Sequence, residues 1–192
     1  VHDCSGQPAD RWDALFADLE GQWEAAEQAE VAAEIDERTR DAQFRAPLLA
    51  RVRAARGRDL ALGVTALGAV HATIRDCGPD WILVVPALAG PVLIPTAALL
   101  WIGDPGPQAV PEDLEGQVAR RWTLRLALRG LVESRQEVRL VLTDSTALEG
   151  TLQRVGADYV EIGLHPRGER PRPGSLTGAR LVPVSALAAV RT

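Results

Sequence analysis

The chain contains no methionine, no lysine and no asparagine, and all of its strongly basic residues are arginine. We read this as the codon bias of a GC-rich genome rather than a physical adaptation. Cysteine is nearly missing: Cys4 and Cys77 are far apart, so neither a disulfide framework nor a zinc site is supported. Gly-x-Gly-x-x-Gly and P-loop patterns are absent, as is any Cys/His spacing suited to a metal. His2, His71 and His165 are scattered, so no catalytic residue, metal ligand or cofactor is expected, and the chain reads as a non-enzyme. No apolar run is long enough to span a bilayer. The opening His2-Asp3-Cys4-Ser5 is polar with no apolar signal region behind it, and a cytoplasmic protein without membrane contact is expected.

What the chain has instead is an internal repeat. Asp59–Val85 lies on Glu137–Gly163 without a gap: Leu62 meets Leu140, Thr65 meets Thr143, Thr73 meets Thr151 and Gly78 meets Gly156. Asp80-Trp81 meets Asp158-Tyr159, Val92-Leu93-Ile94-Pro95 reads like Arg180-Leu181-Val182-Pro183, and both copies end on a similar apolar run. Cys77 falls opposite Val155, which marks it as a buried small apolar residue. A duplicated unit of this size means two similar modules. Each module, at about 55–70 residues, sits near the lower limit for folding alone, so the two should lean on each other or on a partner.

The formal charge of −5 is unevenly spread. Acids from Asp10 to Asp41 crowd the N-terminal segment, which should form a long helix from about Asp10 to Arg45 and stop before Pro47. Glu34–Arg38, Asp36–Arg40 and Asp41–Arg45 are acid-then-base pairs four residues apart. At helical spacing Trp12, Leu15, Phe16, Leu19, Trp23 and Ala26 form one apolar stripe, while Val31, Ile35 and Ala42 form another, rotated from it. Trp12, Phe16, Leu19 and Trp23 are therefore candidate partner-binding residues, facing either the chain's own modules or another protein.

Leu48–Arg56 reads as a short helix closed by Gly57. Alternation in Leu60, Leu62, Val64 and in Val70, Ala72, Ile74 marks two strands, with Trp81–Val85, Val92–Ile94 and Leu99–Ile102 to follow. A one-turn break falls at Thr96-Ala97-Ala98. The segment 103–116, rich in proline, is a linker, and Thr123 could cap a second helix, Leu124–Ser134. The second module then repeats the strands, with an added Pro/Gly-rich loop carrying Arg167, Arg170 and Arg172 and followed by Arg180.

A short helix followed by five short bent strands, with a one-turn break before the fifth, resembles the Sm-like (LSm) small β-barrel. Gly78-x-Asp80-Trp81 and Gly156-x-Asp158-Tyr159 look like that fold's turn between its second and third strands. The acidic helix plus two such units is similar in layout to a family found in GC-rich bacteria. The resemblance implies an α+β protein: an acidic N-terminal helix (1–46), a first five-stranded Sm-like or SH3-like barrel (47–103), a linker (104–117) and a second barrel (118–192). Sm-like proteins bind RNA through an Asp-x-x-Met-Asn-type turn and an Arg-Gly or Lys-His pair. Here no asparagine follows Asp76 or Asp80, and Ile94-Pro95-Thr96 and Val182-Pro183-Val184 carry no base, so no residue is carried over from that pocket.

The recurring Asp80 and Asp158 are expected to cap the N–H groups of their own turns, and Trp81 and Tyr159 to belong to the core rather than stack on bases. The function these features suggest is a non-catalytic binding or assembly module. It would act through its N-terminal helix and barrel edges, with a protein partner or self-association. The alternative is RNA or DNA binding through Arg167, Arg170, Arg172 and Arg180, helped by Arg51, Arg53, Arg56, Arg120 and Arg121.

Overall fold

The computed structural model describes residues 8–110, 121–165 and 178–192, without the side chains of residues 8–14, 42 and 43. It divides into two compact units, one ending at Arg45 and the other beginning at Ala46. The first is a single helix, α1 (Pro8–Arg45), 38 residues long. Along it Arg38 reaches Glu34 at 2.6 Å and Arg45 reaches Asp41 at 3.5 Å. Arg40 differs from the expected pairing: its Nε donates to the backbone carbonyl of Asp36 at 3.2 Å rather than to the carboxylate. Among the described residues, no helix is long and apolar enough to cross a membrane.

The second unit begins with α2 (Leu48–Ala54), followed by β1 (Asp59–Val64), β2 (Gly68–Cys77), β3 (Trp81–Pro86) and β4 (Val92–Pro95). One 3-10 turn, Thr96–Ala98, leads into β5 (Leu99–Ile102). After α3 (Leu124–Ser134) the series repeats as β6 (Glu137–Leu142), β7 (Ala147–Val155), β8 (Tyr159–Leu164) and β9 (Gly178–Pro183). A second 3-10 turn, Val184–Ala186, precedes β10 (Leu187–Arg191). α3 turns Leu124 and Leu128 inward and half-buries Ala127, Leu131 and Val132, a stripe at helical spacing. It stops where Arg135 takes a left-handed conformation, φ 50°.

The repeat seen in the sequence extends to strand registers. Asp59 pairs with Thr73 as Glu137 pairs with Thr151, and Trp81 pairs with Pro95 as Tyr159 pairs with Pro183. Even the irregularities recur, between Ile74 and Asp76 and between Leu152 and Arg154. Such bulges sharpen the bend of the strand that carries them. At each copy's corner Thr96 N–H donates to the carbonyl of Asp80 (3.0 Å) and Val184 N–H to that of Asp158 (2.7 Å).

The expected pair of closed barrels is not what forms. All strands join one ten-stranded antiparallel sheet in the order β5-β1-β2-β3-β4-β10-β6-β7-β8-β9. Closure would require β4 to pair with β5 of its own module. The 3-10 corner after Pro95 instead sends β5 across to β1, and the outer edge of β4 is taken by β10 of the second module. Two apolar clusters fill the unit. Leu62, Ile74, Ile82 and Ile94 centre the first, with Val52 of α2; Leu140, Leu152 and Ile162 centre the second, with Leu128 of α3. Each such side chain contributes about 1.5–3 kcal/mol when fully buried.

Candidate functional site

The seam between modules is the pairing of β4 with β10, where Val190 stands opposite Leu93 and Arg191 opposite Val92. Burial there is nearly complete: Val92 is 0% exposed, Leu93 7%, Val190 1%, and Ala188 and Ala189 0%. The cores cross it in both directions. Val141, Ala188 and Ala189 of the second module belong to the first cluster, and Trp81 and Leu93 of the first module belong to the second. A turn adds to the seam. Trp81 Nε1 donates to the carbonyl of Trp122 at 2.6 Å, and the N–H of Leu124, first residue of α3, donates to Asp80 Oδ1 at 2.7 Å.

That bond corrects the expectation for Asp80, which caps the helix of the other module rather than its own turn. Thr123, expected to be the cap, makes no side-chain capping bond. A carboxylate at a helix start satisfies an orphan N–H and meets the positive end of the helix dipole. Trp81 is buried, as expected. Its ring lies so close over Gly78 that a Cβ there would sit 2.2 Å from Nε1, and Tyr159 covers Gly156 in the same way, with Cε1 at 2.3 Å. Tyr159 is only half-buried and Asp158 is exposed, its side chain accepting no hydrogen bond among the described residues.

The sheet ends at β5 on one side and β9 on the other. These are the counterparts of the two seam strands, β5 of β10 and β9 of β4. Leu181, the counterpart of buried Leu93, is 66% exposed, and Leu100 and Trp101, counterparts of Ala188 and Ala189, are 66% and 49% exposed. Trp101 pairs with Gly63 where Ala189 pairs with Val141. The ring fills the space over the glycine, where a Cβ would meet Nε1 at 2.1 Å. The two cross-strand pairs have therefore exchanged large for small.

The described candidate nucleic-acid residues are dispersed. Arg167, Arg170, Arg172 and Arg120 lie outside the described residues. Arg180 is on β9, exposed, its Nη1 donating to the carbonyl of Ala179 at 3.1 Å. Arg51 donates twice to the carbonyl of Gly106, at 3.2 and 2.8 Å, and Arg58 donates to that of Pro105 at 2.6 Å. These two arginines hold the linker against the sheet. Arg56 pairs with Asp76 at 2.9 Å. Of the candidate partner-binding residues, the side chain of Trp12 lies outside the description, whereas Phe16, Leu19 and Trp23 are 56%, 51% and 76% exposed.

One polar cluster escaped the sequence reading. His165 and Thr151 are buried and bonded, Nε2 to Oγ1, at 2.8 Å, with Glu137 Oε1 3.8 Å from His165 Nδ1. The order resembles nucleophile, base and acid, but the hydroxyl is only 8% exposed with its residue and the last gap exceeds a hydrogen bond. The cluster ties the end of β8 to β7 and β6, as Asp59 and Thr73 bond to each other at the matching place in the first module. His71 is exposed on β2, and no group of metal-ligating side chains occurs among the described residues. Burial pushes the Cys77 thiol up, keeping it protonated despite nearby Arg53. No protein-family model matches the chain, and no curated protein matches its sequence.

Proposed function

We propose that this chain is an assembly module that joins copies of itself edge to edge, β9 of one copy against β5 of the next. One observation carries the reading: positions sealed at the β4–β10 seam are exposed at the two strands left over. An unpaired strand edge offers a row of N–H and C=O groups to any strand of matching pattern. Here the matching pattern is already present at the opposite end of the same sheet. Carrying the seam register across places Ile102 opposite Leu181 and Gly103 opposite Arg180. The contact is head-to-tail, so copies form a ring where the rotation closes and a line where it does not. The exposed Phe16, Leu19 and Trp23 of α1 supply a second contact surface, for a protein partner.

Sedimentation velocity across a range of concentrations tests the reading. Concentration-dependent growth, lost in Leu181→Arg and in Leu100→Arg, is expected. Mixing Ile102→Cys chains with Leu181→Cys chains under oxidation should give disulfide-linked pairs that neither pool gives alone. A chain that stays monomeric at high concentration and forms no such pairs would sink it. Growth that needs added RNA and disappears steeply with salt would point to the arginines instead.

A further inference from the structure

We propose that the row of charged residues at the end of the seam is a binding site for a small oxyanion, a carboxylate or a phosphate. Three strands bring the row together. Glu149 on β7 stands opposite Arg139 on β6, and Arg139 stands opposite Arg191 on β10. Residues directly opposite in antiparallel strands share a face, so the row reads acid, base, base. Like charges placed this way repel unless something negative lies beside them.

The acid of the row, Glu149, is already matched, and Glu137 faces His165 rather than Arg191. Glu149 pairs with Arg139 at 3.4 Å, and Glu137 lies 3.8 Å from His165. Arg191 is left over: its Nε is buried and has no hydrogen-bond partner among the described residues. A buried donor without an acceptor is costly, and more so on a charged group. Arg191 also lines a cavity of about 610 Å³, together with Thr192, Glu149, the stretch Gln136 to Arg139 and the turn Leu88–Gly90 of the first module. A guanidinium fork in a walled recess suits an oxygen pair of a carboxylate or phosphate.

Duplication does not account for this row. The matching positions of the first module are His71, Ala61 and Gly103, and there Gly103 N–H simply donates to the carbonyl of Ala61 at 2.7 Å. The charges occur only where the first module's turn overhangs the second module's strands. An oxyanion seated there would touch both modules.

Thermal unfolding of the full chain, titrated with sodium phosphate or sodium acetate against sodium chloride at equal ionic strength, tests the site. A saturable rise in Tm, on the order of a few degrees, is expected for at least one oxyanion and not for chloride. The anion with the larger effect identifies the geometry taken. Arg191→Gln should abolish the rise, measured from that variant's own Tm. Arg139→Gln should weaken the apparent affinity roughly 10- to 100-fold, because Glu149 then turns to Arg191. Arg154→Gln, on β7 and 3.8 Å from Glu161, should leave the rise unchanged. The proposal is overturned if neither oxyanion exceeds chloride, or if Arg191→Gln responds as the unaltered chain does.

Discussion

Leu93 and Leu181 occupy one position in two copies of a strand, yet the first is sealed and the second faces solvent. The difference lies in what flanks them. Leu93 has β10 beside it, whereas Leu181 is at the rim of the sheet. The same holds for Asp80, which grips Leu124, and Asp158, exposed at its counterpart turn. Seam and rim are thus counterpart strands in two settings, one covered and one uncovered.

The most severe way to break the comparison is a charge at each leucine. Leu93→Arg buries an unpaired guanidinium in the second core and should cost about 3 kcal/mol or more in urea unfolding. Leu181→Arg should change monomer stability by less than about 0.5 kcal/mol while removing self-association. Equal losses would mean the rim is not a counterpart of the seam.

Next in size is Gly63→Ala, which drives a methyl into the Trp101 ring and should cost about 1–3 kcal/mol. Trp101→Ala in the same chain should recover much of that loss, a coupling that a double-mutant cycle would measure. Smaller again, Asp80→Ala should remove about 1 kcal/mol by uncapping α3, with Asp158→Ala near neutral in the isolated chain.

The smallest effect concerns acid. Asp144 accepts a hydrogen bond from Thr146 N–H at 2.9 Å, which holds its carboxyl below the usual carboxylate range. A lowered folded-state pKa adds stability above the unfolded-state value, and that stability is lost as pH falls through the folded one. Asp144→Ala should therefore lower Tm slightly at neutral pH and leave it unchanged at the acid end of a Tm–pH curve. The first module has Ala66 at this turn and should show no such limb.

Strand alternation makes the repeat and its strand positions legible in the sequence, because each strand has one face in a core. Closure was not readable. A strand edge that is paired and one that is bare carry the same alternation, so the sequence of Val92–Pro95 does not say whether β5 or β10 lies beside it. The recipient of the Asp80 carboxylate lay beyond a local reading, since Leu124 is far along the chain. The Arg139–Arg191 juxtaposition exists only once β10 is inserted between β6 and β4. Arg51 looked available for phosphate because linker carbonyls carry no mark in a sequence.

The place of Ala188 and Ala189 in the first core bears on how the chain is made. A ribosome releases β1 through β4 long before it supplies the strand that covers β4. Until that late strand arrives the early half holds an open flank, attractive to any nascent neighbour on the same message. Synthesis order and folding order therefore conflict here, and a chaperone that shields β4 during translation would raise the yield of native chains.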